Sequence, residues 1–397
     1  MERMINKEEF LNRILRLRAL MDRRDPEWET LMLVGRVNQY YFTGSMQDGL
    51  LMIRRDGTCI YFVRRSYDRA RQESALPDVL PMESYRDAAK MVGADCGKTY
   101  LETEIMTLGV LERLKKAFHM GTPHSLDRTV LSVRAVKSPA ELALMEESGK
   151  LHQHLLENLV PGLLREGMSE AELAGRVTLA MLETGYHGVT RFGMFQTEMG
   201  IGQIAFGTNS LLRTSFDGPG GMRGMSTAVP LVGNRQRKLN RGDLVFVDVG
   251  YGIEGYHTDR TQVYRFGEEP TPEMTALHTL CIDIQREAAA ALRPGNLPSE
   301  VYKTALAHVH PELEPDFMGF QGQKVRFLGH GVGLQIDEFP VLTIGFDEPF
   351  QSGMTIALEP KIGLAGAGMV GVEDTYVVTD VGGRCLTGGG QPIRVVP

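Results

Sequence analysis

Four carboxylates and one imidazole stand where a folding chain does not normally put solvated charge. Asp248 interrupts the apolar run LVFVDVG (244–250), and Asp259 follows in GYHTDRTQVY (255–264). Glu359 ends the apolar run MTIALEP (354–360), and Glu373 lies inside MVGVEDTYVV (369–378). Burying an unpaired carboxylate is costly, and its pKa normally shifts to avoid the charge. Acids facing solvent from alternating strands would be the ordinary explanation. It fits worst at Asp248, which has apolar neighbours on both sides, and best at Asp259, which has polar company. His330 sits between glycines in FLGHGVGL (327–334). Those glycines let the backbone approach closely and leave the imidazole unobstructed. One imidazole with four carboxylates is the wrong set for a structural zinc site, which favours Cys and His. It suits two hard or borderline divalent ions such as Mn, Co, Fe(II) or Zn. The −4 of the carboxylates would balance two such ions.

The elements that must hold these residues follow from periodicity. Phe10, Ile14, Leu17 and Met21 form one stripe of an amphipathic first helix. Short β-type runs follow: TLMLVG (30–35), QYYFTG (39–44) and LLMI (50–53). Asp56-Gly57, between LLMIRR and TCIYFV, predicts a hairpin, and a helix is expected around Ser66–Ser74. Ser138-Pro139-Ala140-Glu141 supplies a capping serine, a first-turn proline and a third-position glutamate, so a long helix opens there. The domain boundary is therefore placed in 125–136, giving a small α/β domain over 1–134 and a larger one over 135–397. In the second, Pro161-Gly162 before Ser169-Glu170 is echoed by Pro294-Gly295 before Ser299-Glu300. A duplicated α+β domain would give that echo, and so would the general use of Pro-Gly turns before helices.

Composition limits the partners. The chain has 397 residues, with Lys+Arg 43 against Asp+Glu 50 and a net charge of −7. No dense basic run marks a nucleic-acid or anionic-membrane surface, and no apolar run reaches the roughly 18 residues of a membrane span. The N-terminal MERMINKEEFLNRILRLR carries charges throughout and lacks the apolar core of a signal peptide. Cys59, Cys96, Cys281 and Cys385 lie far apart, as expected of reduced thiols in a cytoplasm. The 21 methionines read as core filler. His308 and His310 read as surface residues at a helix end.

DVG-x8-D, GHGVGL, ALEP and VEDT, in this order and spacing, resemble the metal-ligand signature of the pita-bread metallopeptidase family M24. That family includes methionine aminopeptidase, aminopeptidase P, prolidase and creatinase. The first 134 residues resemble the N-terminal domain of the creatinase, prolidase and aminopeptidase P branch, and AVKSPAELALM (135–145) resembles the start of its catalytic domain. The resemblance implies a pita-bread α/β domain with internal pseudo-twofold duplication, a homodimer, and a small peptide or amide-like substrate. It also implies that Asp248 chelates one metal, that Asp259 and Glu373 bridge both, and that His330 and Glu359 bind the other. A metal-bridging hydroxide would attack the C–N bond, with Glu359 also relaying a proton.

Three positions depart from that pattern. Asp337, in QIDEFP (335–340), stands where the family places a second histidine. GTNSLLRTSFDGPGG (207–221) has no histidine and puts Thr214 near that place. Gly371 stands where prolidase-like members often carry an arginine. A glycine-rich loop, SFDGPGGMRGMS (215–226), is an ordinary surface segment or a substrate loop, with Asp217 and Arg223 as its candidate binding residues. The leading expectation is a dinuclear hydrolase resembling an Xaa-Pro aminopeptidase or dipeptidase. A non-peptide C–N hydrolase or lyase, and a catalytically silent metal-binding homologue, stand as alternatives.

Overall fold

The computed structural model describes residues 5–194, 197–216 and 218–397. The chain divides into two compact units, the first ending at Arg134 and the second beginning at Ala135.

In the first unit, helix Lys7–Arg24 is capped by Asn6, whose side chain accepts from the Glu9 amide. It buries the stripe Phe10, Ile14, Leu17 and Met21. A six-stranded sheet has the strand order 79–81, 59–63, 49–54, 30–33, 99–101, 124–125. Its central hairpin pairs Gly49–Arg54 with Cys59–Val63. At the turn, the Asp56 carboxylate accepts from the Thr58 amide at 2.8 Å. QYYFTG corrects the β-type reading, because Arg36–Thr43 is a helix. Gly44, at φ 77°, ends it in the left-handed conformation. The buried Gln39 side chain donates to Leu33 O at 3.1 Å and Gly49 O at 2.8 Å. Those contacts fix the helix against the sheet and override the β preference of Tyr and Phe.

In the second unit, helix Pro139–His154 opens with the expected Ser138–Glu141 capping box. Glu170–Glu183 opens with a Ser169–Glu172 box and buries Leu173, Val177 and Met181. The Pro-Gly echo is looser than the sequence suggests. Pro161-Gly162 lies inside a helical turn, Val160–Leu163. Helix Pro298–Ala307 begins one residue before Ser299, with Leu297 at its cap. The Ser299 hydroxyl instead donates to Asp347 at 2.5 Å.

The resemblance between the halves lies in architecture: helices, then antiparallel strands. One sheet orders strands 394–396, 256–266, 244–253, 202–206, and the other orders 338–341, 329–331, 355–358, 374–379, 382–385. The Thr261 amide donates to Glu373 O at 3.2 Å, bridging the two sheets. Beside them, Lys361–Leu364 pairs with Gly368–Gly371 as a ribbon. Two apolar clusters lie against the sheets, one around Phe246, Ile284 and Leu358 and one around Leu173, Val177 and Val247. Each fully buried aliphatic side chain contributes about 1.5–3 kcal/mol. A buried charge left without a partner costs about as much as one or two of them, so the acids at the seam must be paired.

Candidate metal centre

The register of the long hairpin brings the first two acids together. Asp248 pairs with Thr261, and Gly250 pairs with Asp259. Side chains two apart on a strand share a face, so Asp248 and Asp259 point to the same side, diagonally across the pair. On the other sheet Glu359 follows strand Thr355–Leu358 and Glu373 precedes Asp374–Thr379, where Leu358 pairs with Asp374. His330 is the middle residue of Gly329–Gly331. A Cβ on Gly329 would lie 2.1 Å from Ala357 O, and one on Gly331 would lie 2.0 Å from Phe339 O. Both glycines therefore permit the close strand packing that fixes the imidazole between them.

All five side chains are buried and converge. His330 Nε2 lies 3.5 Å from Glu359 Oε1, 3.7 Å from Glu373 Oε1 and 4.0 Å from Asp259 Oδ2. Its Nδ1 lies 3.1 Å from Gly331 O. That contact favours a proton on Nδ1 and leaves the Nε2 lone pair facing the acids, as in metal-ligating histidines. Ligand atoms in a tetrahedral shell of about 2.1 Å radius stand roughly 3.4 Å apart. The donor set and spacing around Nε2 thus fit one divalent ion, and Asp259, His330 and Glu373 offer atoms all within 4.8 Å of one another.

Two further residues complete the centre, and neither was singled out from the sequence. Lys361, fully buried, places Nζ 2.7 Å from Glu373 Oε2, 2.9 Å from Glu359 Oε2 and 3.0 Å from Asp248 Oδ2. Gln203 Nε2 donates to Asp248 Oδ2 at 3.2 Å. The signal for Lys361 was the one that revealed Asp248, a charge inside the apolar run IALEPKIGL. The register supplies its room, because Lys361 pairs directly with Gly371. Gly371 has φ 135°, and a Cβ there would lie 2.6 Å from Lys361 Cα and 3.0 Å from its Cγ. Gly371, where the family pattern implies an arginine, is thus bare beside a lysine that supplies the cation from the opposite strand.

Burial raises the pKa of Asp248, to about 6, with Lys361 opposing and Glu373 reinforcing the shift. Burial and the neighbouring acids raise Asp259 well above the usual carboxylate range. Burial likewise raises Glu359 and Glu373, against the pull of Lys361. For His330, burial works downward, but the carboxylates of Asp337, Glu359 and Glu373 outweigh it and the net shift is upward. For Lys361, burial also works downward, and Asp248, Glu359 and Glu373 raise it well above the usual lysine range. Its ammonium is therefore retained.

The five side chains open onto a cavity of about 40 Å³, also lined by Asp337, Gln203, Phe192, Phe216 and Ile336. Phe192 and Phe216 meet edge to face, with ring centroids 6.3 Å apart. Asp337 Oδ1 lies 3.9 Å from His330 Nδ1. Phe216 and Gly218 bring the glycine-rich loop to the cavity. Arg223 is exposed and is not among the described residues that line it. Asp217 lies outside the described residues. Thr214 donates to Pro230 O at 3.3 Å and is likewise absent from the described lining. No helix among the described residues is long and apolar enough to cross a membrane.

A buried imidazole–carboxylate cluster at the seam of two sheets, opening onto a small cavity, defines a metallohydrolase. The chain belongs to metallopeptidase family M24: residues 143–380 match that family, and residues 13–136 match the Creatinase/Prolidase N-terminal domain. Among its relatives is an Xaa-Pro dipeptidase of Pyrococcus furiosus, 25% identical over 353 residues, covering 88% of this chain and 91% of the relative. An uncharacterized peptidase of Staphylococcus aureus RF122 is 24% identical and covers 91% of this chain and 94% of that protein. The fold matches that of an X-Pro aminopeptidase from Thermotoga maritima, with TM-score 0.78 and 21% identity over 96% of this chain and 99% of the other. It also matches dipeptidase PepE of Mycobacterium ulcerans, with TM-score 0.78 and 23% identity over 99% of each chain. These relatives favour a peptidase over the non-peptide and catalytically silent alternatives.

Proposed function

We propose that the chain hydrolyses the C–N bond of small Xaa-Pro peptides, as a dipeptidase or aminopeptidase. The observation that carries this reading is the convergence of His330, Asp259, Glu359 and Glu373 beside a cavity with an apolar aromatic wall. Divalent metal held there would polarise the scissile carbonyl and lower the pKa of water. Mn, Co, Fe or Zn all suit the donor set. Within the chain, Glu359 is the group to hold and return a proton, because its pKa is raised and it lines the cavity with Oε1 3.5 Å from His330 Nε2. Phe192, Phe216 and Ile336 exclude water and suit an apolar ring such as proline. Asp337, on the cavity wall with its Oδ1 3.9 Å from His330 Nδ1, is placed to hold a substrate ammonium. Arg223 and Asp217, in the glycine-rich loop, remain candidates for the substrate's charged ends. A homodimer and a cytoplasmic setting belong to the same reading.

The test is a panel of Xaa-Pro dipeptides and tripeptides, with non-peptide amides beside them, against protein loaded with Mn or Co. Cleavage of an Xaa-Pro bond that is lost in chelator and in Glu359→Gln is expected. Metal-loaded protein that cleaves no Xaa-Pro substrate would overturn the reading.

A further inference from the structure

Glu359 and Glu373 each use their two carboxylate oxygens differently. Both Oε1 atoms face His330 Nε2, at 3.5 and 3.7 Å, and both Oε2 atoms accept from Lys361 Nζ, at 2.9 and 2.7 Å. Two cation positions therefore lie side by side on the same pair of glutamates. One is framed by His330 and Asp259. The other is framed by Asp248, whose Oδ2 accepts from Nζ at 3.0 Å, and contains the ammonium. We propose that Lys361 is a built-in cation taking one of the two metal positions of this centre. The centre would then hold one divalent ion tightly, on His330, Asp259 and the Oε1 atoms of Glu359 and Glu373. A second ion would enter only by displacing Lys361.

The ammonium is held as a metal would be, by three carboxylates in a water-excluded site where charge–charge attraction is strong. Lys361 is fully buried, and its Nζ lies 5.8 Å from the centroid of the Phe246 ring. Its stem runs past Gly371, whose missing side chain is what leaves the space. A second divalent ion on those oxygens would meet the ammonium at close range, and like charges in a buried site repel strongly. Hydrogen bonds from a lysine also consume the oxygen lone pairs that a metal would need.

This inference rests on the metallohydrolase reading, and the experiment separates the two. Stripped protein is equilibrated with increasing free Mn²⁺, and bound ions per chain are counted by dialysis and elemental analysis, alongside Lys361→Ala and Lys361→Met. The expected wild-type result is one tight ion, with a second at least 100-fold weaker or absent. Both variants, checked for folding by circular dichroism, should bring the second ion at least tenfold closer to the first. Their Mn electron paramagnetic resonance should show a coupled pair where wild type shows an isolated ion. Wild type binding two ions with indistinguishable affinity overturns the proposal and leaves the metallohydrolase reading standing. Folded variants that still hold only one ion overturn it too. A wild-type chain that takes no ion overturns the functional reading with it.

Discussion

Glu373 Oε2 lies 2.7 Å from Lys361 Nζ while its Oε1 lies 3.7 Å from His330 Nε2. One carboxylate thus ties an internal ammonium to an imidazole poised for metal, and Thr261 Oγ1 steadies it by donating to Oε2 at 3.0 Å. Replacing it removes a metal oxygen and a lysine partner together. Glu373→Gln should therefore weaken Mn²⁺ binding by more than the about 10–100-fold that loss of a supporting residue costs. Thr261→Val should fall within that smaller range. Calorimetry on both variants checks the order.

The raised carboxyl pKa values set a pH dependence. Asp248 is pushed up to about 6 in the folded protein from an ordinary value near 3.8. Between those values the folded state binds more protons than the unfolded one, so stability of metal-stripped protein is lost as pH rises through that window. Bound metal needs Asp259, Glu359 and Glu373 ionised, and their pKa values are raised as well, so it acts in the opposite sense. Buried His152, His187 and His257, all shifted downward chiefly by burial, affect both forms alike. The informative quantity is therefore the gap in Tm between metal-loaded and stripped protein. It should be smallest in acid and widen by several degrees as pH rises and the ligating acids ionise. A gap that does not change with pH would mean that the acids are not proton-linked to the metal.

Gly371 has a second measurable role. A methyl group there would meet Pro360 O at 2.4 Å and Lys361 Cα at 2.6 Å, at φ 135°. Gly371→Ala should cost about 2–4 kcal/mol of stability and lower Tm by several degrees even in saturating metal. An unchanged melting curve would show that Lys361 has room to yield.

Asp337 stands where the family pattern has a histidine, and its charge raises the pKa of His330. Asp337→Asn should leave His330 neutral to lower pH, so that half of the bound metal is lost at a more acidic pH than in wild type. An aspartate that itself holds metal gives the opposite shift. Asp337→His should lower Xaa-Pro cleavage if the aspartate holds the substrate ammonium, and preserved or raised cleavage would show that it has no role of its own in the reaction.

Asp248, Glu359 and Glu373 stood out in the sequence because each stands in or at the end of an apolar run, whereas Asp259, among polar neighbours, and His330, between glycines, were reached through the spacing of the family motif. The hairpin at Asp56-Gly57 and the helix opening at Ser138 were legible through local turn and cap chemistry. Arg36–Thr43 was not, because QYYFTG carries strand-type residues whose helical state depends on Gln39 reaching two carbonyls elsewhere in the unit. Lys361 was missed for a different reason. Lys361 follows Glu359 by two residues, so in sequence it reads as an exposed ion-pair partner of that acid, and only the convergence of Asp248 and Glu373 from other strands turns its Nζ inward.

The central claim is a metal-dependent peptidase centre built on His330, Asp259, Glu359 and Glu373. Its most direct test is hydrolysis of an Xaa-Pro dipeptide by wild type and Asp259→Ala at equal free Mn²⁺, with bound metal counted in the same samples. Metal-bearing, active wild type beside a folded variant that has lost both metal and activity is the predicted result. Full activity in an Asp259→Ala protein that holds no metal would contradict the account.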